Sequence, residues 1–311
     1  QLVAGPIERA QHLLPQILKP RKLSFSGLQR GFYYIAIGLL LKIFMADNIA
    51  RLIDPFFASG NTATGLEYLL AGYGFGFQIY GDFAGYSYIA KGLGAMLGFD
   101  IIDNFRLPYF SSNPQEFWRR WHISLSTWLR DYLYSPLGGN RSGRSRTIRN
   151  LLITMLLGGL WHGAKITFVL WGLVHGLMLV GYHLLHGGSA VEKNQGKIFR
   201  VLRKALDIVF FFHLIVITWY FFRAESVAQL ATIGRAFLFD FQPHGQTELA
   251  LKLLFYVVPV LAFQLLQYWS NNLLVIFRLP VVVRAGAYVM IFYLVVIFGV
   301  NHAQDFIYFQ F

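Results

Sequence analysis

The stretch that decides the fold is LLITMLLGGLWHGAKITFVLWGLVHGLML, residues 151–179. It is almost entirely apolar, yet Trp161, His162 and Gly163 stand in its middle, followed by Lys165. The apolar run before Trp161 is too short to span a bilayer, which takes about 20 residues of helix. The pattern therefore predicts two apolar segments joined by a turn at Gly163 and Lys165, with a titratable imidazole at the turn.

The composition of the whole chain agrees with this stretch. Of the 311 residues, 56% are hydrophobic, 17% are aromatic and only 14% are charged, whereas about a quarter of the residues of a soluble protein are charged. Long apolar runs recur from one end of the chain to the other. These features predict an all-α polytopic membrane protein and exclude a membrane-surface enzyme with a single anchor.

The charged residues point to membrane topology. The net charge is +12, and most of the positive charge forms short clusters beside apolar runs, as in residues 138–150 and 193–204. Clusters of Lys and Arg mark cytoplasmic loops, so we expect no nucleic-acid partner. The chain has no cysteine, which excludes a cysteine nucleophile, a cysteine-bound metal and a disulfide.

Hydropathy predicts roughly seven to nine membrane elements. Besides the opening stretch, spans are expected near 31–47, 66–99, 205–222, 250–269 and 285–301, with an amphipathic piece at about 225–238. The span within 66–99 contains glycines four residues apart, a spacing that lets helix backbones approach closely. Because the element is long and rich in glycine, we expect a break within it.

Residues 107–136, LPYFSSNPQEFWRRWHISLSTWLRDYLYSP, form a different kind of element. Asn113, Pro114 and Glu116 suit a helix amino terminus, and a stripe of aromatic and leucine residues continues to about Tyr134. The segment is too polar to face lipid, so we predict an in-plane or re-entrant helix packed inside the protein.

His122 and His162 are the candidate functional histidines. On a continuous helix, His122 would share a face with Trp118, Arg119 and Ser126, although an interfacial anchor would also explain this helix. If the next helix begins after residue 149, His162 lies about 18 Å along it, near the middle of a hydrocarbon core roughly 30 Å thick. An ionisable group at that depth marks function by default, and an imidazole suits a general base. A packing histidine that donates to a backbone carbonyl is the open alternative.

The remaining ionisable groups carry weaker signals. Asp82, within YGDFAGY, would bind a cation, orient a polar partner or hold a broken helix together, and a structural hydrogen bond to a helix end is the simpler interpretation. The other histidines of the carboxyl-terminal half are assigned to the core or to an interface; they are His175, His183, His186 and His302.

Taken together, these residues resemble the membrane-bound O-acyltransferase (MBOAT) family, and within it the bacterial branch similar to alginate O-acetyltransferase. The matching pieces follow the chain in the expected order: VAGPIER (3–9), FQIYGDFAGYSYIAKGLGAMLGF (77–99), NFRLPYFSSNPQEFWRRWHISLSTWLRDYLYSPLGGNR (104–141), GLWHGAKITFVLWGLVHG (159–176), FFRAES (221–226) and DFIYFQF (305–311). Family members usually carry further helices before the first piece. We therefore expect one MBOAT-type membrane domain over 1–311 that lacks its amino-terminal helices.

The resemblance implies a helical bundle around a central funnel. It implies that His162 is the catalytic histidine, a base for an acceptor hydroxyl, and that His122 is the second signature histidine, which orients the donor or stabilises the oxyanion. Acyl-CoA or another acyl thioester would be the donor substrate, with no bound cofactor and no metal. The substrate-binding residues expected from the same motifs are Trp161, Arg119, Arg120, Ser126 and Asp82.

The implied reaction moves an acyl group, most simply acetyl, from the cytoplasm toward an extracytoplasmic polysaccharide. The expected setting is the bacterial inner membrane, with a periplasmic or extracellular partner that completes acetylation. Alginate, another exopolysaccharide, peptidoglycan and teichoic acid all remain open as acceptors. Two other classes also remain open: a transporter of a lipid-linked or small anionic substrate, which would use intramembrane ionisable groups, and a non-catalytic component of a polysaccharide-export complex.

Overall fold

Helices make up the structure, a computed structural model that describes residues 5–58, 60–141, 143–186, 196–242 and 245–300. No strand occurs among these residues. The α-helices are α1 Ala10–Leu18, α2 Phe25–Leu39, α3 Asp47–Phe57, α4 Gly65–Met96, α5 Pro114–Trp118, α6 Ile123–Leu129, α7 Arg144–Trp161, α8 Ile166–His186, α9 Lys197–Arg223, α10 Val227–Phe239, α11 Thr247–Ser270 and α12 Val281–Phe298. Two π-helical segments, Leu40–Ala46 and Arg130–Tyr134, continue α2 and α6.

Four of the described helices are long and apolar enough to cross a membrane: α8, α9, α11 and α12. They match the second apolar segment of 151–179 and the spans predicted near 205–222, 250–269 and 285–301, except that residue 301 lies outside the described residues. The segments predicted as spans near 31–47 and within 66–99 are helical, in α2 with its π-helical continuation and in α4, but neither is among these four helices. The amphipathic piece at 225–238 is α10. The prediction of an all-α polytopic membrane protein is therefore confirmed. His302 and the motif at 305–311 also lie outside the described residues.

The chain divides into two compact units. Of the described residues, the first comprises 5–58, 60–61, 66–106, 242 and 245–300, and the second comprises 62–65, 107–141, 143–186 and 196–241. Asp82 belongs to the first unit, while His122 and His162 belong to the second. The single membrane domain expected from the sequence stays a prediction, as does the central funnel.

In the first unit, the break expected within 66–99 is wrong. Helix α4 runs without interruption from Gly65 to Met96. Its glycines serve close packing: a Cβ added to Gly85 would stand 2.8 Å from the carbonyl oxygen of Gly38 on α2, and one added to Gly92 would stand 2.7 Å from that of Gly31. A methyl group has no room at either position, so the glycine content reflects contact with α2 and not a helix end.

In the second unit, α7 and α8 form an antiparallel pair whose backbones approach closely at two glycines. A Cβ on Gly159 would lie 2.3 Å from the carbonyl oxygen of Phe168, and one on Gly172 would lie 2.3 Å from that of Met155. The chain turns as predicted at Gly163, whose φ of +150° is rarely adopted by residues with a side chain. Helix α7 begins at Arg144, earlier than the start after residue 149 that the sequence suggested.

The single helix predicted from Asn113 to Tyr134 is also wrong. Asn113 caps α5 as expected, since its side chain accepts a hydrogen bond from the backbone N–H of Glu116 at 2.8 Å. However, α5 ends at Trp118, and His122 has φ +41° and ψ +54°, the left-handed conformation. A new helix, α6, starts after it. The prediction that His122 shares one helical face with Trp118, Arg119 and Ser126 assumed a continuous helix, so it does not apply.

Candidate active site

His162 lies where α7 ends, against an aromatic wall. Its backbone N–H donates to the carbonyl of Gly159 at 3.1 Å, which closes the last turn of the helix. The ring centroid lies 5.4 Å from that of Trp171, 5.1 Å from that of Phe222 and 6.4 Å from that of Phe168. The side chain is half-buried and its Nδ1 is buried. The imidazole is thus held by α8 and α9 while part of it stays accessible.

His122 is buried and conformationally strained. Only 5% of the residue is exposed, and its left-handed backbone is one that a non-glycine residue adopts at a cost of about 1–3 kcal/mol. Its Nδ1 lies 3.4 Å from the Oγ of Ser124, which is itself buried. Strain of this kind persists only where the surrounding packing imposes it, and it is concentrated at functional sites.

The fold brings the two histidines together. Burial and, after it, the charge of His162 lower the pKa of the His122 imidazole well below its ordinary value. Ring contacts link the two positions as well: Trp171 contacts His162 and stacks on Trp219, and Trp219 contacts Trp121, the neighbour of His122 in the sequence. Two imidazoles separated by 40 positions in the sequence therefore belong to one site. His122 itself lies outside the four helices that are long enough to cross a membrane.

Tryptophans surround this pair. The Trp171 ring stacks at 6.1 Å from Trp219, which lies 4.9 Å from Trp121, the neighbour of His122 in sequence. Trp118 meets Trp171 edge to face at 5.7 Å. The indole nitrogens of Trp118, Trp171 and Trp219 are buried without a hydrogen-bond acceptor among the described residues. An indole N–H is only a donor, so the site offers three donors to a ligand rich in oxygen.

The sequence analysis assigned His175 to the core or to an interface, and the structure shows that its ring is buried beside Trp171 and bonded to Thr218. The hydroxyl of Thr218 donates to the carbonyl of Ile215 at 2.7 Å, so its Oγ1 accepts from the Nε2–H of His175 at 3.1 Å. The neutral ring then carries its lone pair on Nδ1, which is buried and has no donor among the described residues. Trp171 and His175 lie 4.7 Å apart. Their i, i+4 spacing on α8 was a signal that could have identified this pair.

A comparison with known protein families shows to which family the chain belongs. A family model described as "MBOAT, membrane-bound O-acyltransferase family" matches residues 1–227, the segment that contains both histidines. The chain belongs to the membrane-bound O-acyltransferase family. The resemblance inferred from the sequence motifs is thereby confirmed.

Relatives within the MBOAT family extend this match. The chain is 44% identical over 255 residues to the probable alginate O-acetylase AlgI of Pseudomonas syringae pv. tomato, covering 80% of this chain and 46% of that protein. It is 41% identical over 281 residues to the probable alginate O-acetylase AlgI of Azotobacter vinelandii, covering 88% and 54%. It is 37% identical over 229 residues to the peptidoglycan O-acetyltransferase of Helicobacter pylori, covering 73% and 42%. The chain spans about half the length of the curated relatives it matches.

The other residues that the MBOAT motifs singled out in the second unit have varied surroundings. Trp161 is 59% exposed and its ring lies 6.0 Å from that of Trp128. Arg119 is exposed, and Arg120 pairs with Glu116 at 2.7 Å. The Ser126 hydroxyl donates to the carbonyl of Trp118 at 2.5 Å. Their role in substrate binding stays a prediction.

Asp82, in the first unit of this MBOAT protein, forms a buried ion pair. Lys42, on the π-helical segment that follows α2, lies with its Nζ 2.5 Å from the Oδ1 of Asp82 and 2.8 Å from the Oδ1 of Asp47. Both carboxylates are 3% exposed. The substrate-binding role expected of Asp82 stays a prediction, and the ion pair supplies a structural reason for a carboxylate at this position. No group of three or more His, Cys, Asp or Glu side chains able to hold a metal occurs among the described residues.

Proposed function

We propose that this protein is a membrane O-acyltransferase that moves an acyl group, most simply acetyl, from a cytoplasmic thioester to an extracytoplasmic polysaccharide hydroxyl. The observation that carries the proposal is one aromatic cluster that reaches from His162 through Trp171 and Trp219 to Trp121, next to His122, within the segment matched by the family model. The names of the relatives support the acyl group and the acceptor class, because both describe acetyl transfer to a polysaccharide.

In the proposed step, the His162 imidazole accepts the proton of the acceptor hydroxyl as a general base. The oxygen attacks the thioester carbonyl, and a tetrahedral oxyanion forms. When this intermediate collapses, the carbon–sulfur bond breaks, the ester remains on the acceptor, and the leaving thiolate takes the proton from His162. No proton or electron pair is left over, and the imidazole returns to its neutral form.

His122 and the tryptophans would stabilise the charge that develops in this step. His122 is kept neutral by burial, so it can donate one N–H to the oxyanion without competing for the acceptor proton. The buried indole N–H of Trp171 is a second donor beside His162. Donors fixed before the reaction act most strongly where water is excluded.

The remaining parts of the proposal concern the substrates and the setting. Arg119 and Arg120 would receive the phosphates of a donor such as acyl-CoA, and Trp161 and Ser126 would line its path. The protein would act in the bacterial inner membrane as a multi-pass protein. A periplasmic or extracellular partner would complete acetylation of the polysaccharide.

The test is the O-acetyl content of extracted polysaccharides in a deletion strain complemented with wild type, His162→Ala or His213→Ala. His213 is an exposed histidine on α9, so His213→Ala is the matched control, and membrane levels are equalised by blot. We expect wild type and His213→Ala to restore acetylation and His162→Ala to fall by about 100-fold or more. Equal restoration by His162→Ala would make His162 a packing residue and would favour a transporter or a non-catalytic component.

A further inference from the structure

A polar cavity of about 430 Å³ lies in the first unit. It opens between the amino end of α2 and the carboxyl end of α4, and the segment around Asp100 closes one side. Three cations line it: Lys22, Arg30 and Lys91. All three lie within the segment that the family model matches, but none belongs to the aromatic site of the two histidines, and the mechanism proposed above does not use them.

Lys91 is fixed in place before any ligand arrives. Its ammonium forms an ion pair with Asp103 and stands 5.3 Å from the ring centroid of Tyr34, which also lines the cavity. Asp103 is held in turn by Arg106, whose Nη2 lies 2.9 Å away. A cation held on two sides gives up little conformational freedom when it binds an anion.

Lys22 and Arg30 have no such carboxylate. Within the described residues neither side chain forms an ion pair, and both are exposed at the mouth of the cavity. One carboxylate lines the cavity, that of Asp100, whose side chain is 86% exposed. Because Lys91 is already paired with Asp103, the excess positive charge of the cavity comes from Lys22 and Arg30, which face one outward-pointing carboxylate. The amino end of α2, capped by Ser24, adds to the positive potential.

Apolar side chains stand exposed around the same end of α2. Leu23 and Phe25 are 72% and 75% exposed, and Leu28 and Phe32 follow on the helix at 45% and 55%. On the other side, Leu97 at the end of α4 is 60% exposed. A positive cavity beside an apolar surface matches a ligand whose anionic group is joined to hydrocarbon chains.

We propose that this cavity binds a phosphate group, and that the phosphate belongs to the headgroup of an anionic phospholipid. Arg30 would contact the phosphate oxygens through its guanidinium, Lys22 and Lys91 would neutralise the charge, and the acyl chains would follow Leu28 and Phe32 along α2. A soluble phosphate ester would satisfy the same cations but would leave the exposed apolar surface of Leu23, Phe25 and Leu28 uncovered.

The experiment measures binding to purified protein in phosphatidylcholine nanodiscs by native mass spectrometry, with phosphatidylglycerol and inorganic pyrophosphate as probes. Wild type is compared with Lys22→Gln/Arg30→Gln and with Lys19→Gln. Lys19 lies three positions before Lys22, is exposed and does not line the cavity, so Lys19→Gln removes one charge from the same segment without altering the site.

We expect wild type and Lys19→Gln to retain phosphatidylglycerol and the double variant to bind it at least about tenfold more weakly, since each charge contributes a few-fold. Binding should also weaken with salt. If pyrophosphate binds to wild type and phosphatidylglycerol does not, the proposal of a lipid ligand is wrong and the cavity is a site for a soluble phosphate ester. Equal binding of both probes by wild type and the double variant would overturn the site itself.

Discussion

The imidazole of His162 meets the indole of Trp171 edge to face, with ring centroids 5.4 Å apart and planes at 88°. This contact joins the end of α7 to α8 and sets the orientation of the proposed base. The indole in this contact has a buried N–H and packs against the proposed base. The site is thus defined by aromatic packing as much as by its two histidines.

Trp171→Phe separates the two contributions of this indole. The phenyl ring keeps an aromatic face against His162 but removes the N–H donor. We expect O-acetyl transfer to fall about tenfold, the loss of one hydrogen bond of about 1–1.5 kcal/mol in the transition state, with membrane levels unchanged. Trp269→Phe on α11, where the tryptophan is 75% exposed, is the control. Full activity of Trp171→Phe would show that the N–H does not act in the reaction.

His122→Asn tests whether the imidazole or the backbone conformation matters. Asparagine tolerates the left-handed region that His122 occupies, whereas alanine is disfavoured there by roughly 1–2 kcal/mol. We expect His122→Asn to melt close to wild type and His122→Ala to melt lower, with acetylation strongly reduced in both. Thermal unfolding of purified protein and O-acetyl content provide the two measurements. If His122→Asn acetylated normally, the imidazole would have a structural role only.

Gly159→Ala and Gly172→Ala test the close approach of α7 and α8. Each added methyl would stand 2.3 Å from a backbone oxygen of the facing helix, so the helices must separate. We expect each variant to lose at least about 1–3 kcal/mol of stability, measured as a lower unfolding midpoint, and to lose acetylation because His162 shifts.

Gly181→Ala is the matched control on α8. An added Cβ there meets nothing within 4 Å, and alanine is favoured over glycine in a helix by about 0.5–1 kcal/mol. Its unfolding midpoint should stay level or rise. If Gly181→Ala lost as much stability as Gly159→Ala and Gly172→Ala, the loss would not depend on the close approach of α7 and α8, and the packing explanation would fail.

Lys42→Met tests the buried ion pair of the first unit. The substitution leaves the carboxylates of Asp47 and Asp82 buried without their ammonium, which costs about 3–5 kcal/mol. We expect poor accumulation in the membrane and a lower unfolding midpoint. Lys252→Met, which removes a lysine 51% exposed on α11, should change little.

Adding Asp47→Asn and Asp82→Asn to Lys42→Met should restore membrane accumulation and the unfolding midpoint, because the uncompensated carboxylate charges are then gone. If the triple variant is folded and still acetylates polysaccharide, Asp82 has a structural role. If it is folded but inactive, the prediction that Asp82 binds substrate gains support.

The class of protein, the family and the positions of the four long apolar helices could be inferred from the amino-acid sequence. Apolar runs of sufficient length are helical in a membrane because every backbone group must bond within its own segment, so α8, α9, α11 and α12 could be predicted. The turn at Gly163 followed from the short run before it.

The glycine contacts of α4, the backbone conformation of His122 and the hydrogen bond of His175 depend on partners that are distant in the sequence, so they became visible in the three-dimensional structure. Glycines that suggested a break in α4 instead allow contact with Gly31 and Gly38 of α2. The left-handed backbone of His122 is unfavourable locally and is held only by the packing around it. The lone pair of His175 faces away from Thr218 because Ile215 takes the threonine proton. No local pattern contains these contacts, and those of His122 and His175 shape the aromatic site of the second unit.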